Sequence, residues 1–309
     1  MGAHLTLPRH PYKGEAPAAG VQAGGEAVPT GAPDPELLSA LQALGAGMKL
    51  TWHGHSCYEV ETRGGHRLLV DPFFPPGLSP RRATNVSPDL VLLSHAHDDH
   101  LGSAVELGAP VLGSYEVATY LARKGLRETT GMNIGGSYRG LEGVRIWMTP
   151  ATHSSGFEHE EGAFGYGGLA NGWMIDDGET RFYHAGDTGL FGDMRTVIRD
   201  VLKPDVAAVP IGDLFTMGPE HAAVAVDWLG VGTVVPMHFI PKPGTPLAAR
   251  YREAHGKEWP SYFPPITIDP AEFVSHVGQK ATVVMPLPGE TVEVAGRRVT
   301  SAPAAARRG

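Results

Sequence analysis

Three histidines and Asp99 fall within six consecutive residues, His95-Ala96-His97-Asp98-Asp99-His100, directly after the apolar run Asp89-Leu90-Val91-Leu92-Leu93-Ser94. Imidazole and carboxylate without thiolate form a donor set for borderline-hard divalent ions such as Zn, Mn, Fe or Ni. A single histidine is more often a packed core or surface residue than a ligand. Four metal-type donors on one loop at the end of a strand reverse that reading. One short loop can serve two ions but cannot complete two coordination shells, so further ligands must come from elsewhere in the chain. His153, Asp187 and His238 qualify, because each follows a predicted strand.

The elements that must position these residues are legible in the hydrophobic pattern. Lys49–Trp52 and Cys57–Glu61 alternate, a Gly64-Gly65 turn follows, and His66–Val70 continues an antiparallel set. The run 89–94 is apolar without interruption, as in a strand buried on both faces. Tyr115–Lys124 has helical spacing, and Val144, Ile146 and Met148 alternate toward His153. Trp173–Ile175 and Thr180–Tyr183 flank Asp177-Gly178, a strong hairpin signal. The second arm runs into His184-Ala185-Gly186-Asp187. A helix over Met194–Leu202, a buried strand over Val206–Ile211, a helix over Glu220–Leu229 and a strand over Thr233–Met237 complete the pattern, the last ending at His238. Pro88-Asp89-Leu90-Val91 and Pro204-Asp205-Val206-Ala207 hint at an internal duplication.

With 309 residues the chain can bury one substantial core. Residues 1–47 are rich in Gly, Ala and Pro and read as a flexible extension with one short helical segment, Asp34–Leu44. Residues 48–309 read as one domain. A formal charge of -8 leaves no basic reservoir for a nucleic-acid backbone. The single cysteine, Cys57, excludes an internal disulfide, and no run of about 18 apolar residues suggests a membrane span. A secretory signal is not evident, so the expected compartment is the cytoplasm. A small-molecule substrate is expected, with homo-oligomerisation left open.

The spacing His95, His97, Asp99, His100 resembles the His-x-His-x-Asp-His hallmark of the metallo-β-lactamase superfamily. His-Ser-Ser at 153–155, Ala-Gly-Asp-Thr at 185–188 and Pro-Met-His at 236–238 follow in that family's order, over about Met48 to Leu287. The resemblance implies an α/β fold, a four-layer αββα sandwich. It also implies that His95, His97 and His153 hold a first metal, that Asp99, His100 and His238 hold a second, and that Asp187 bridges them. Two cations about 3.5 to 4 Å apart turn a shared water into a hydroxide nucleophile near neutral pH. Asp99 would orient that nucleophile and relay its proton. His55 is a further catalytic candidate, and Asp71 is expected to accept the second ring N–H of a ligating histidine. The cofactors would be two divalent ions, Zn foremost, with Mn as the second choice.

Gly54-His55-Ser56-Cys57 and Phe215-Thr216-Met217-Gly218-Pro219-Glu220 resemble the metal-dependent hydrolases grouped with ascorbate-6-phosphate lactonase. That implies cleavage of a small lactone or other carboxylic ester. The same early histidine also resembles the N-acylphosphatidylethanolamine phospholipase D branch, which keeps a phosphodiester substrate open. A nuclease would need a large insertion and a basic surface, and neither is visible. A redox di-iron protein of the superfamily would carry Glu where His97 stands. A metal-stabilised binding protein remains a non-catalytic alternative. Ser56 and Cys57 lack the Gly-x-Ser-x-Gly setting of a nucleophile, and alternation puts Cys57 on an apolar face. His184 reads as packing, His159 as a solvated loop residue, Gly165–Gly172 as a loop over the site, and Glu258–Pro265 as packing or a substrate wall.

Overall fold

A computed structural model describes residues 47–74, 79–158, 163–256 and 264–307. Its first sheet is built from β1 (Met48–Gly54), β2 (Cys57–Glu61), β3 (Arg67–Val70), β4 (Leu90–Leu92), β5 (Val111–Ser114) and β6 (Thr129–Met132). The second takes β7 (Ser137–Tyr138), β8 (Arg145–Pro150), β11 (Asn171–Asp176), β12 (Arg181–His184), β13 (Val206–Pro210), β14 (Thr233–Met237) and β17 (Thr282–Val283). Two short ribbons stand apart: β9 (Gly156–Glu158) with β10 (Phe164–Tyr166), and β15 (Ile240–Pro241) with β16 (Thr267–Ile268). The chain then returns to the first sheet as β18 (Thr291–Ala295) and β19 (Arg298–Ser301). The orders are β19-β18-β1-β2-β3-β4-β5-β6 and β17-β14-β13-β12-β11-β8-β7.

Alternation along the strands builds the layers. Leu68, Val70, Leu90 and Leu92 turn inward and share one core with Trp173, Ile175, Phe182 and Val209 of the second sheet. Their neighbours Leu69, Val91 and Leu93 turn outward and pack with Val117 and Leu121 of the helix Tyr115–Arg123. A strand that buries both faces must be apolar at every position, which is why residues 90–93 show no polar alternation. On the far side Pro219–Leu229 lays Ala222, Ala225, Val226 and Leu229 on the second sheet. Fully burying one such aliphatic side chain contributes about 1.5–3 kcal/mol. The result is the expected αββα sandwich. Among the described residues no helix is long and apolar enough to cross a membrane.

Most elements fall where the hydrophobic pattern places them, within a residue or two. Met194–Leu202 is helical but wound wider than an α-helix, and Lys203 N closes it on Ile198 O. Gly47, assigned to the extension, is buried, and its N–H donates to Glu293 Oε1 at 2.9 Å, so the packed region starts one residue earlier than expected. Residues 164–166 form a strand, where the glycine-rich composition suggests only loop. The rest of residues 1–46, including the helical segment Asp34–Leu44, lies outside the described residues, as do His159 and most of Glu258–Pro265.

The repeated Pro-Asp pair has a structural counterpart. Asp89 N donates to Arg67 O and its Oδ2 accepts from Arg67 N; Asp205 makes the same two bonds with Arg181. Arg67 and Arg181 open β3 and β12, and each strand runs parallel to the one that follows its aspartate, β4 and β13. One residue past each arginine-led strand the match persists: Asp71 N donates to Leu92 O, and Ala185 N to Ala208 O. Two halves of the sandwich therefore repeat one hydrogen-bonded frame.

Candidate metal centre

The ends of these strands converge on one edge. β4 delivers Ser94 and His95, and the loop continues into the one-turn helix Asp98–Leu101, which carries Asp99 and His100. β3 ends at Asp71, β8 leads to His153, β12 to Asp187 and β14 to His238. His55 stands in the β1–β2 turn. His55, Asp71 and His238 all adopt the left-handed region, with φ of 51°, 48° and 54°. Non-glycine residues there are uncommon and concentrate at functional sites. Gly186, with φ 62°, meets the Asn171 carbonyl where a side chain would start, so only glycine lets the chain turn to place Asp187.

All seven anticipated ligands come together. The ligand atoms of His95, His97 and His153 lie within 4.8 Å of one another, and so do those of Asp99, His100 and His238, which His55 joins. His95, His100 and Asp187 form a third overlapping group on the same criterion. Asp187 Oδ2 sits 2.9 Å from His238 Nε2, 3.2 Å from His100 Nε2 and 3.8 Å from His153 Nε2. That one carboxylate oxygen faces both clusters. His55 Nε2 lies 3.4 Å from Asp99 Oδ2, so His55 belongs to the centre itself and is more than the cap of a turn.

A layer behind the ligands fixes their rings. Asp71 Oδ2 accepts from His100 Nδ1 at 2.8 Å and from Ser94 Oγ at 2.7 Å, while Ser94 N donates to Asp71 Oδ1 at 2.8 Å. With its proton given to Asp71, the Ser94 hydroxyl is left to accept from His95 Nδ1 at 2.9 Å. Both imidazoles therefore carry a proton on Nδ1 and turn Nε2 toward the cluster, the orientation that ligating histidines require. Ser94 escaped the sequence reading, although a hydroxyl immediately before His95 at a buried strand end is a usable signal. Ser155 was likewise passed over as a positioning residue: it accepts from Ala96 N at 3.2 Å and donates to Gly167 O at 3.0 Å, tying the β9–β10 ribbon to the ligand loop. His184 is packing, as expected. Its Nδ1 accepts from Gly186 N and its Nε2 donates to Ser56 O at 2.8 Å, which satisfies both nitrogens.

Burial and mutual charge set the protonation states. Burial, with His238 nearby, pushes the His55 pKa down to about 3. Burial also lowers His95 well below its ordinary value, and His97 and His153 to a lesser degree. These imidazoles are neutral and offer lone pairs. His100 goes the other way: burial opposes its charge, but Asp187, Asp71 and Asp99 together raise its pKa. Against the burial that would raise them, Asp99 is held low by His100 and His55, and Asp187 well below the carboxylate range by His100 and His238. A concentration of carboxylates around a positively charged imidazole is the electrostatic pattern a cation would replace. Neutral imidazoles, ionised carboxylates and no thiolate make a donor set that fits divalent metal.

The sequence profile of the beta-lactamase superfamily domain matches residues 49–238. A metal-dependent hydrolase from Geobacillus thermodenitrificans is 40% identical over 252 residues, covering 80% of this chain and 100% of that one. The solved structure of a metallo hydrolase from the archaeon Ignicoccus hospitalis is 36% identical, with a TM-score of 0.65, over 80% of this chain and 98% of that one. A metallo-beta-lactamase fold protein from Bacillus subtilis superposes with a TM-score of 0.56 at 16% identity, over 81% of this chain and 100% of the other, a likeness of fold alone.

Proposed function

The chain belongs to the beta-lactamase superfamily and within it to the metal-dependent hydrolases, and from that premise we propose that it cleaves a small lactone or other carboxylic ester with two divalent ions. The observation that carries this reading is Asp187 Oδ2, which faces the donors of both clusters at once. In it His95, His97 and His153 would hold one ion and Asp99, His100 and His238 the other, with Asp187 between the two groups. A donor set dominated by imidazole suits Zn, and its carboxylates admit Mn as the second choice. When bound, such a pair supplies Lewis acidity, lowering the pKa of water and polarising the bond to be cut.

The protein's own groups do the rest. Asp99 is ionised, a quarter exposed, and 3.4 Å from His55 Nε2, so it can accept a hydrogen bond from an incoming water and take its proton. His55, held neutral by burial, faces that carboxylate and helps to orient it. Asp71 and Ser94 keep His100 and His95 turned inward, and Ser155 holds the ribbon that borders His153. The strongest electrostatic influences on the titrating groups of the centre come from its own His and Asp side chains, with no Lys or Arg among them. The ions themselves would supply the positive charge that either an ester or a phosphodiester needs, so the ester reading rests on the likeness of Gly54–Cys57 and Phe215–Glu220 to the lactonase group.

The test is metal analysis of protein purified without chelator, followed by assay of the metal-loaded enzyme against lactones, esters and phosphodiesters. About two ions per chain with ester turnover, both lost in Asp187→Ala, is the expected result. Turnover of phosphodiesters alone would replace the substrate class. Less than one ion per chain after reconstitution would leave only a binding protein.

A further inference from the structure

Six residues past Asp89 the chain reaches His95, and ten past it Asp99; the same counts from Asp205 reach Ile211 and Phe215. Since the two aspartates hold equivalent positions in the repeated frame, the segment after β13 is the counterpart of the ligand loop. It carries Leu214 and Phe215 where the ligand loop carries Asp98 and Asp99.

This counterpart loop is pinned to the metal centre at both ends. At its start Ile211 N donates to Met237 O, and Gly212 packs so closely on His238 that a side chain there would meet the His238 carbonyl. At its end Met217 N donates to Thr188 O, next to Asp187, and the Thr188 hydroxyl accepts from Thr152 N, next to His153. Between these anchors the backbone makes a tight turn. Asp213 and Leu214 both have positive φ, 61° and 40°, and Phe215 N closes on Asp213 O. Leucine in that region is strained. The turn nevertheless leaves Leu214 69% and Phe215 50% exposed, two large apolar side chains on a loop whose ends are anchored beside His238 and Asp187. Phe73 sets an aromatic edge against the His55 ring, with ring centres 5.4 Å apart.

We propose that Leu214 and Phe215 are specificity-determining residues, an apolar lip over the metal centre that receives the hydrocarbon part of the substrate. The substrate class is then an uncharged ester or lactone carrying an aliphatic chain, a statement that rests on the ester reading above. The chain lies on the lip while its carbonyl reaches the metal side, and nothing in the lip takes part in bond cleavage.

Binding of the linear carboxylates from butanoate to decanoate, the acid products of such esters, to the metal-loaded full chain tests this by calorimetry. A methylene buried on one side gains roughly half its transfer free energy, so affinity rises about twofold per methylene. In the Leu214→Ser/Phe215→Ser double variant that slope flattens while metal content stays at the wild-type value. A Val201→Ser control, altering an exposed apolar residue elsewhere, keeps the slope. A flat slope in wild type, or an equal slope in the double variant, overturns the lip. So does a wild-type dimer that the double variant converts to monomer without a change of slope, since the pair would then serve self-association. A length-dependent slope without ester turnover keeps the lip and removes the ester reading; ester turnover indifferent to chain length does the reverse.

Discussion

The loops that follow β4 and β13 leave equivalent strands, each preceded by an aspartate bonded twice to the arginine of the neighbouring strand. From there they diverge. The first is dense in donors, buried at His95 and His100, and braced by Asp71 and Ser94. The second has no imidazole, presents Leu214 and Phe215 to solvent, and is held at its ends by backbone hydrogen bonds and by the buried side chains of Ile211 and Met217. A common frame thus fixes where a loop begins and which edge it reaches, and the side chains alone decide whether that edge binds an ion or an apolar group. Interior apolar packing and backbone hydrogen bonds make the frame, and neither is sensitive to what the exposed tip carries.

The contrast can be broken most forcefully at the group that joins the two halves. Asp187→Ala should lower kcat by at least about a thousandfold, the scale of losing a transition-state stabilising group, and bring metal content below one per chain by elemental analysis. Retention of both ions would show that the ligand loop does not depend on the second half. A sharper cut comes one layer back. Asp71→Ala should weaken metal affinity by about 10–100-fold in a competition titration with a chelator, because His100 loses the acceptor that fixes its ring. Asp213→Ala, on the counterpart loop, should leave that titration unchanged.

Proton linkage gives a smaller effect. His184 is buried and its pKa lowered by burial, so below about pH 6.5 the unfolded chain takes a proton that the folded chain refuses. Stability should fall as pH drops from 6.5 toward the folded-state value, by up to about 1.4 kcal/mol per pH unit. Urea unfolding at pH 5.5 and 7.5 reads this as a difference between wild type and His184→Asn, and an identical pH dependence in the two would refute it. The smallest change tests the frame itself: Asp89→Ala and Asp205→Ala should each cost about 1 kcal/mol, the size of a hydrogen bond lost at the same place in each half. A large disparity between them would mean that the repeat is not an energetic one.

The candidate ligands were legible because their types are chemically unusual at strand ends, and the strands that carry them announce themselves by apolar runs such as Leu90–Leu93. His55 was harder to place, since one imidazole in a turn has many uses; only its approach to Asp99 assigns it to the centre. Ser94 and Ser155 work through hydroxyls, and a lone serine carries no pattern. Phe164–Tyr166 was hidden by the glycines around it, while β18 and β19 form a local hairpin whose alternation at Val292 and Val294 was a usable signal; only the pairing of β18 with β1, far away in sequence, lies beyond local periodicity. The meaning of Pro-Asp at 88–89 and 204–205 became readable only when both aspartates were seen bonding to matching arginines.

His55, Asp71 and His238 share a backbone conformation that glycine adopts freely and that costs other residues on the order of 1 kcal/mol or more. Selection for heat resistance alone would therefore favour glycine at His55 and His238, whereas Asp71 is kept by its bonds to Ser94 and His100. Laboratory lineages passaged for thermal stability without a requirement for turnover should enrich His55→Gly or His238→Gly, and not Asp71→Gly, among their early substitutions.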